Sequence, residues 1–278
     1  MDDEIRTVDP CAVIESAHET RRGDMVRFMQ SRISHPPSKR VTLMHKRLQQ
    51  GFTLVEIAIV LVIIGLLLGG ILKGQELITS ARVRNLADQN SGIQAAYYGF
   101  VDRFRQVPGD WPAANAAQAI PGVTTGGNGN GRLDRATTDW TEALALWEQL
   151  SKAGFIQGPY IGGDSAPTAA NSNIAPRNAF NGFMVLYRSN DYLDTDSTPP
   201  DRLNLTLGRG IPVNVMRELD LKVDDGLPQS GVMRHALTSG ATFGEIGQSV
   251  TGCVDTGETP PIWNIAGNEE MCNAVYLY

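Results

Sequence analysis

Apolar residues form one unbroken stretch and then become periodic. From Phe52 to Leu72 the chain reads FTLVEIAIVLVIIGLLLGGIL, apolar except for Thr53, Glu56 and the glycines. As a helix this run is about 32 Å long, enough to cross a bilayer core. A buried helix of a soluble protein is the alternative, but few such helices hold Ile, Leu and Val over this length. Beyond Leu72 the apolar positions Leu86, Ile93, Tyr97, Phe100 and Phe104 recur at spacings of 7, 4, 3 and 4, one face of an α-helix. No proline falls between 52 and 107, Lys73-Gly74 marks the junction and Pro108-Gly109 the end. The pattern predicts a single helix with a membrane half, 52–72, and an amphipathic half, 73–107.

The remainder, 108–278, alternates short patterned segments with Gly, Pro, Asp and Asn. Asp139-Trp140-Thr141-Glu142 has the spacing of a capping box, followed by Leu144, Trp147 and Leu150 as an apolar face and Gly154 as a stop. Phe183 to Arg188 and Leu203 to Leu207 read as strands. Pro212 opens a helix running through Leu219 to Lys222, and Asp224-Asp225-Gly226-Leu227-Pro228 reads as turn chemistry. A strand near Gly231 to Leu237 and a final one over Ala274 to Tyr278 complete an expected antiparallel sheet. The fold class is therefore α+β: a long N-terminal helix packed on an antiparallel β-sheet head.

Candidate chemistry begins with Glu56. A carboxylate in hydrocarbon costs about 2.5–3.5 kcal/mol and calls for a cationic partner. Residues 52 to 72 contain no Lys, Arg or His, so that partner is expected from elsewhere. The segment after the apolar run, Lys73-Gly74-Gln75-Glu76, offers no small-x-small cleavage site, so the helix should stay with the protein. Lys39, Arg40, Lys46 and Arg47 precede the run while Lys73, Arg82 and Arg84 follow it, which favours a cytoplasmic amino terminus.

Met44-His45-Lys46-Arg47-Leu48-Gln49-Gln50-Gly51, followed by Phe52-Thr53-Leu54-Val55-Glu56 and the apolar helix, resembles the leader and cleavage site of type IV pilins and type II secretion pseudopilins. The shared features are a short basic leader, Gly before the cut, Phe after it and Glu as fifth residue of the mature chain. The resemblance covers 44 to about 104 and only loosely the head, whose run from Pro212 to Tyr278 is similar to the tails of bacterial pilin-like proteins. It implies a pilin-like fold, cleavage between Gly51 and Phe52 by a prepilin peptidase, methylation of the Phe52 amine, and pairing of Glu56 with the amino terminus of a neighbouring subunit. It further implies a single-pass protein of the bacterial inner membrane with a periplasmic head. Such a protein would meet other pilin subunits, an inner-membrane assembly platform and the lipid bilayer, and would end in a periplasmic or cell-surface filament. The expected function is structural and not enzymatic: a minor pilin, or alternatively a pseudopilin. A reading of another class is a membrane-anchored periplasmic binding protein or enzyme whose anchor mimics a prepilin. Residues 1–43 do not fit the leader pattern and are read as preceding a true start at Met44, or as a disordered cytosolic extension; 44–51 is the leader.

Charge and cysteines refine this picture. Residues 1–51 carry nine Lys or Arg and seven Asp or Glu, so of the chain's 24 basic and 30 acidic residues 15 and 23 fall beyond Gly51, a net −8. An acidic body disfavours attraction to phosphate backbones, so a nucleic-acid partner is not expected. Cys11 stands alone near the start, whereas Cys253 and Cys272 are separated by 18 residues. Joined in an oxidising compartment, that pair would stabilise the head by roughly 3 kcal/mol; two unpaired thiols is the alternative.

Gly127-Asn128-Gly129-Asn130-Gly131-Arg132-Leu133-Asp134 follows a calcium loop in part. Gly126 and Thr137 stand where two strong acidic ligands belong, and a plain Gly/Asn turn competes with it. Calcium serves the heads of some pseudopilins, so the resemblance retains Asn128, Asn130 and Asp134 as candidate calcium ligands, and no other cofactor or metal cluster is expected. Gly163-Asp164-Ser165 is similar to a serine-nucleophile loop, but the one histidine beyond the cut, His235, lies on an expected strand and reads as structural.

Overall fold

The computed structural model describes residues 51–134, 139–237 and 252–278; the leader at 44–50, the segment 1–43 and Thr137 lie outside the described residues. The chain divides into two units, Met1–Thr53 and Leu54–Tyr278. Of the first, Gly51, Phe52 and Thr53 are described, and they are non-helical and exposed. All that follows concerns the second.

Helix α1 runs from Leu54 to Phe104, 51 residues without a break, or about 77 Å at 1.5 Å per residue. No residue of α1 before Val83 is buried; from there Val83, Leu86, Ile93, Ala96, Tyr97 and Phe100 form the stripe that packs under the head. Four of the five expected stripe residues are buried and Phe104 packs at the edge, against Trp111 at 5.6 Å between ring centroids. The helix stops three residues short of the expected 107. Arg105 turns to φ 56 while its N–H still bonds to Val101 O at 2.8 Å. The residue before Pro108 is also kept from helical angles by the proline ring. At Gly109, φ is +89 and a Cβ would stand 2.4 Å from Glu142 O, so the chain can turn against the segment carrying Glu142 here only because the residue is glycine.

Helix α2, Ala113–Ala119, was not expected; α3, Thr141–Lys152, was. Leu144, Trp147 and Leu150 are buried as the pattern predicts, but Glu142, Leu146, Glu148 and Gln149 are buried too. The helix is therefore enclosed on every side, and its polar side chains must find partners inside the protein. They do so in the segment that wraps it. Glu148 accepts the N–H groups of Thr124 at 3.1 Å and Thr125 at 2.8 Å. Gln149 accepts from Gly109 N–H at 2.8 Å and donates to Trp111 O at 2.9 Å. Glu142 does not close a capping box: no cap hydrogen bond comes from it, and Asp139 instead accepts the Thr141 N–H at 2.9 Å. Gly154, φ +83, ends the helix as expected.

The sheet is antiparallel, with β1 Val185–Ser189, β2 Arg202–Thr206, β3 Met233–His235 and β6 Ala274–Leu277 in the order β1-β2-β6-β3. The last strand therefore fills the centre, where Leu205 and Met233 both face Tyr276. Helix α4, Val213–Val223, lies where Pro212 placed it and buries Val213, Val215, Met216 and Leu219. A second, two-stranded sheet pairs β4 Val254–Asp255 with β5 Ile262–Trp263. The core joins the α1 stripe, α3, one face of the larger sheet and α4 in one cluster. Tyr278 closes the fold, its hydroxyl donating to Asn90 Oδ1 of α1 at 3.0 Å.

Candidate functional site: the anchor helix

Glu56 stands in the first turn of α1, where the unpaired N–H groups of a helix start favour a negative charge. Around and after it Leu54, Ile59, Leu61, Val62, Leu66, Leu67 and Leu72 are all exposed; Leu54 is 91% exposed and Leu66 74%. An apolar surface that the protein itself leaves uncovered over this length cannot be stable in water, and lipid or other such helices must cover it. The helix is long and apolar enough to cross a membrane, and none of the apolar window is buried in the head.

Residues 46–72 match the family model of the prokaryotic N-terminal methylation motif. The chain carries a prepilin-type motif. This is the motif of type IV pilins and pseudopilins; it points to a structural subunit and, together with the exposed helix, to a membrane-anchored protein. No curated protein and no solved structure matches the chain.

Outside the prepilin-type segment, the head holds the remaining candidates. In the loop 126–134, two buried carboxylates from other parts of the chain hold the backbone. Asp110 accepts the N–H groups of Gly129, Asn130 and Gly131 at 2.8, 3.1 and 2.8 Å. Glu142 accepts those of Asn128 and Asp134 at 3.2 and 2.9 Å. Burial raises the Glu142 carboxyl above the usual glutamate range, and these amide donors oppose the rise. Of the candidate calcium ligands, Asn128 Oδ1 accepts the Asn130 N–H at 2.9 Å and Asn130 Oδ1 the Arg132 N–H at 2.8 Å. Asp134 faces Arg132 at 3.1 Å. The sequence reading does not single out Asp110, and it names Glu142 only as the acid of a capping box. Asp110 looks like turn chemistry in Pro-Gly-Asp, and only the fold brings it 19 residues along the chain to Gly129.

Ser165 donates to Asp164 Oδ1 at 2.9 Å on an exposed loop, whereas His235 is buried on β3 with its ring edge-on to Trp263 at 5.8 Å. The two lie in different structural settings, and His235 has the surroundings of a core residue. Burial lowers its pKa to about 4. A histidine kept neutral in the fold leaves stability intact above its unfolded value of about 6.5, and lowers it as pH falls from there to the folded value. Asp220, whose carboxyl burial pushes up to about 7, acts in the opposite sense over the same range. The effect is therefore read as a difference. Between pH 7 and 4 the wild type should lose about 3 kcal/mol more than His235→Gln does in denaturant unfolding. Parallel pH profiles for the two would show that His235 is protonated in the fold.

Cys253 and Cys272, both buried, are joined by a disulfide with Cα atoms 5.7 Å apart. The bond closes the segment carrying β4 and β5 onto the start of β6, and Cys272 N–H bonds to Ile211 O at 3.0 Å just before α4.

Proposed function

We propose that the chain is a prepilin cut between Gly51 and Phe52, methylated on the new Phe52 amine, and assembled through α1 as a minor subunit of a type IV pilus-like filament. The observation that carries this reading is the coincidence of the methylation motif at 46–72 with a helix whose first half has no cover of its own. In the membrane, lipid covers that half; in a filament, the same half of neighbouring copies would. Glu56 would pair with the amine that cleavage creates on an adjacent subunit, which would offset the burial of both charges and set the axial register. The peptidase, an inner-membrane assembly platform and other pilin subunits are then the partners, and the head lies outside the cytoplasm.

A pseudopilin of type II secretion is the second reading, which the absence of proline throughout α1 leaves open beside the first. Deletion of the protein and immunoblotting of sheared surface filaments test both. The minor-pilin reading expects the chain in the filament fraction and a defect in motility or adhesion. Its absence from that fraction together with loss of protein export would replace it by the pseudopilin reading. Calcium bound by Asn128, Asn130 and Asp134 would have to exchange their present hydrogen bonds for metal ligation, and Asp134→Asn is the variant that tests it.

A further inference from the structure

Below the head, α1 keeps its apolar surface uncovered past the membrane half. Leu77 is 62% and Ile78 56% exposed, and Arg82 stands one turn on, on the same face as Ile78. Lys73 and Glu76, the two charges between Leu72 and Arg82, pair with each other at 2.7 Å. Arg82 is about 6 Å further along the axis than Ile78, and the polar layer of a bilayer adds about 5–8 Å beyond the hydrocarbon on each side. With the uncovered apolar surface in lipid, Arg82 is at the level of the headgroups.

The head meets α1 there with two more arginines. Its loop 178–183 and the turn Gly208-Arg209-Gly210 lie backbone against backbone, so close that a Cβ at Gly182 would stand 2.4 Å from Arg209 O. The buried Asn178 side chain ties the two, accepting the N–H groups of Phe180 and Gly182 at 2.7 and 2.9 Å and donating to Leu207 O at 2.7 Å. This packing brings Arg177 and Arg209 to one open groove of about 620 Å³, whose other charged lining residues are Arg82 and Glu270. Two of the guanidiniums are held by aromatic rings. Arg82 lies 5.0 Å from the Phe180 centroid and Arg177 4.0 Å from that of Phe183, and Arg177 also donates to Asn181 Oδ1 at 2.9 Å. Among the described residues none of the three pairs with a carboxylate, whereas Arg132, Arg188 and Arg234 of the head do. Three positive charges thus face one negative charge in a chain that carries a net −8 beyond Gly51. Guanidiniums gathered without a counter-ion repel one another, and an anion between them removes that cost.

We propose that this groove binds the phosphodiester headgroup of an anionic phospholipid in the membrane that holds α1. All three cations are arginines, whose planar forks match phosphate oxygens two at a time and give up water more readily than an ammonium does. The groove stands at headgroup level, and below Arg82 the exposed Ile78 and Ile71 continue its face of α1 as an apolar track for the acyl chains. A soluble phosphate or an acidic surface of another copy would use the arginines without that track. A bound headgroup would fix the height and rotation of the head above the membrane. The inference rests on the membrane-anchored reading of α1 and not on filament assembly.

The test is lipid retention by the full chain, purified in a neutral detergent, offered equimolar phosphatidylglycerol and phosphatidylcholine and read by native mass spectrometry. The wild type should retain phosphatidylglycerol in preference. Arg82→Gln and Arg209→Gln, changes at an exposed and a half-buried position outside the core, should each weaken that retention about fivefold, the weight of one arginine at an anionic surface. Arg84→Gln, on the same helix but outside the groove, should leave it unchanged. Soluble glycerophosphate should displace the lipid only in large excess. Equal retention of phosphatidylcholine overturns the proposal, as does an Arg84→Gln loss equal to that of Arg82→Gln, which would reduce the effect to general charge attraction. Displacement by equimolar glycerophosphate would reassign the groove to a soluble phosphate ester, and chain pairs that Arg209→Gln separates would reassign it to a second copy. Carbonate washing of cell membranes checks the anchor separately. A wild type that washes off rejects the anchor and this inference with it, whereas one that resists the wash yet shows no headgroup preference rejects the groove alone.

Discussion

Chains carrying Glu56→Ala should accumulate in the membrane at wild-type levels and be missing from the filament. The two effects separate because the carboxylate acts oppositely in the two settings. In the bilayer it costs about 2.5–3.5 kcal/mol, so its removal cannot hinder insertion of the helix. In the filament, removing one member of a buried pair strands the other, at a cost of about 3–5 kcal/mol, which lowers incorporation on the order of 100-fold or more. Glu56→Gln keeps the shape and removes the charge, so it should fail nearly as badly. Quantitative immunoblots of membrane and sheared fractions measure both variants, and wild-type incorporation of Glu56→Gln would refute charge pairing as the source of register.

Reduction of the Cys253–Cys272 bond should be the most damaging change to the head. The bond joins residues 19 positions apart, and cross-links of that span stabilise by roughly 3 kcal/mol through the unfolded state. Both sulfurs are buried, so the double Ser variant also places two hydroxyls in an apolar setting. For a domain of this size a loss of about 3 kcal/mol lowers the melting temperature by roughly 6–12 °C. Thermal unfolding with and without reductant reads the effect in the wild type, and the double variant should be insensitive to reductant. A wild type whose melting temperature is unchanged by full reduction would show that the core cluster suffices without the bond.

The elements that repeat a strong period could be read directly from the residues. α1 shows its membrane half by composition and its head-facing half by the Leu86, Ile93, Tyr97 and Phe100 stripe, and α4 announces itself with Pro212. The strands β1 and β2 fall within a residue or two of their expected bounds because each is a short apolar segment, Met184 to Tyr187 and Leu203 to Leu207, set between turn residues. What escaped depends on long-range packing. α2 is seven residues rich in alanine, too short and too bland to carry a period. β4 and β5 are two residues each, and pairing alone defines them. Glu148 and Gln149 look like a solvent face on α3, and only the wrap of residues 109–125 makes them interior. Asp220 likewise reads as the polar side of an amphipathic helix until Trp263, 43 residues later, reaches it. Gly51, Phe52 and Glu56, the positions proposed for processing and assembly, lie in a local motif that requires no tertiary contact to recognise.

As proposed, the mature chain begins at Phe52. Mass spectrometry of the protein extracted from the membrane of a producing cell measures that end directly. Cleavage and methylation as proposed leave an amino-terminal peptide starting at Phe52 and heavier than the plain sequence by one methyl group. An intact peptide running through Gly51 into Phe52 in assembled or steady-state material would contradict it.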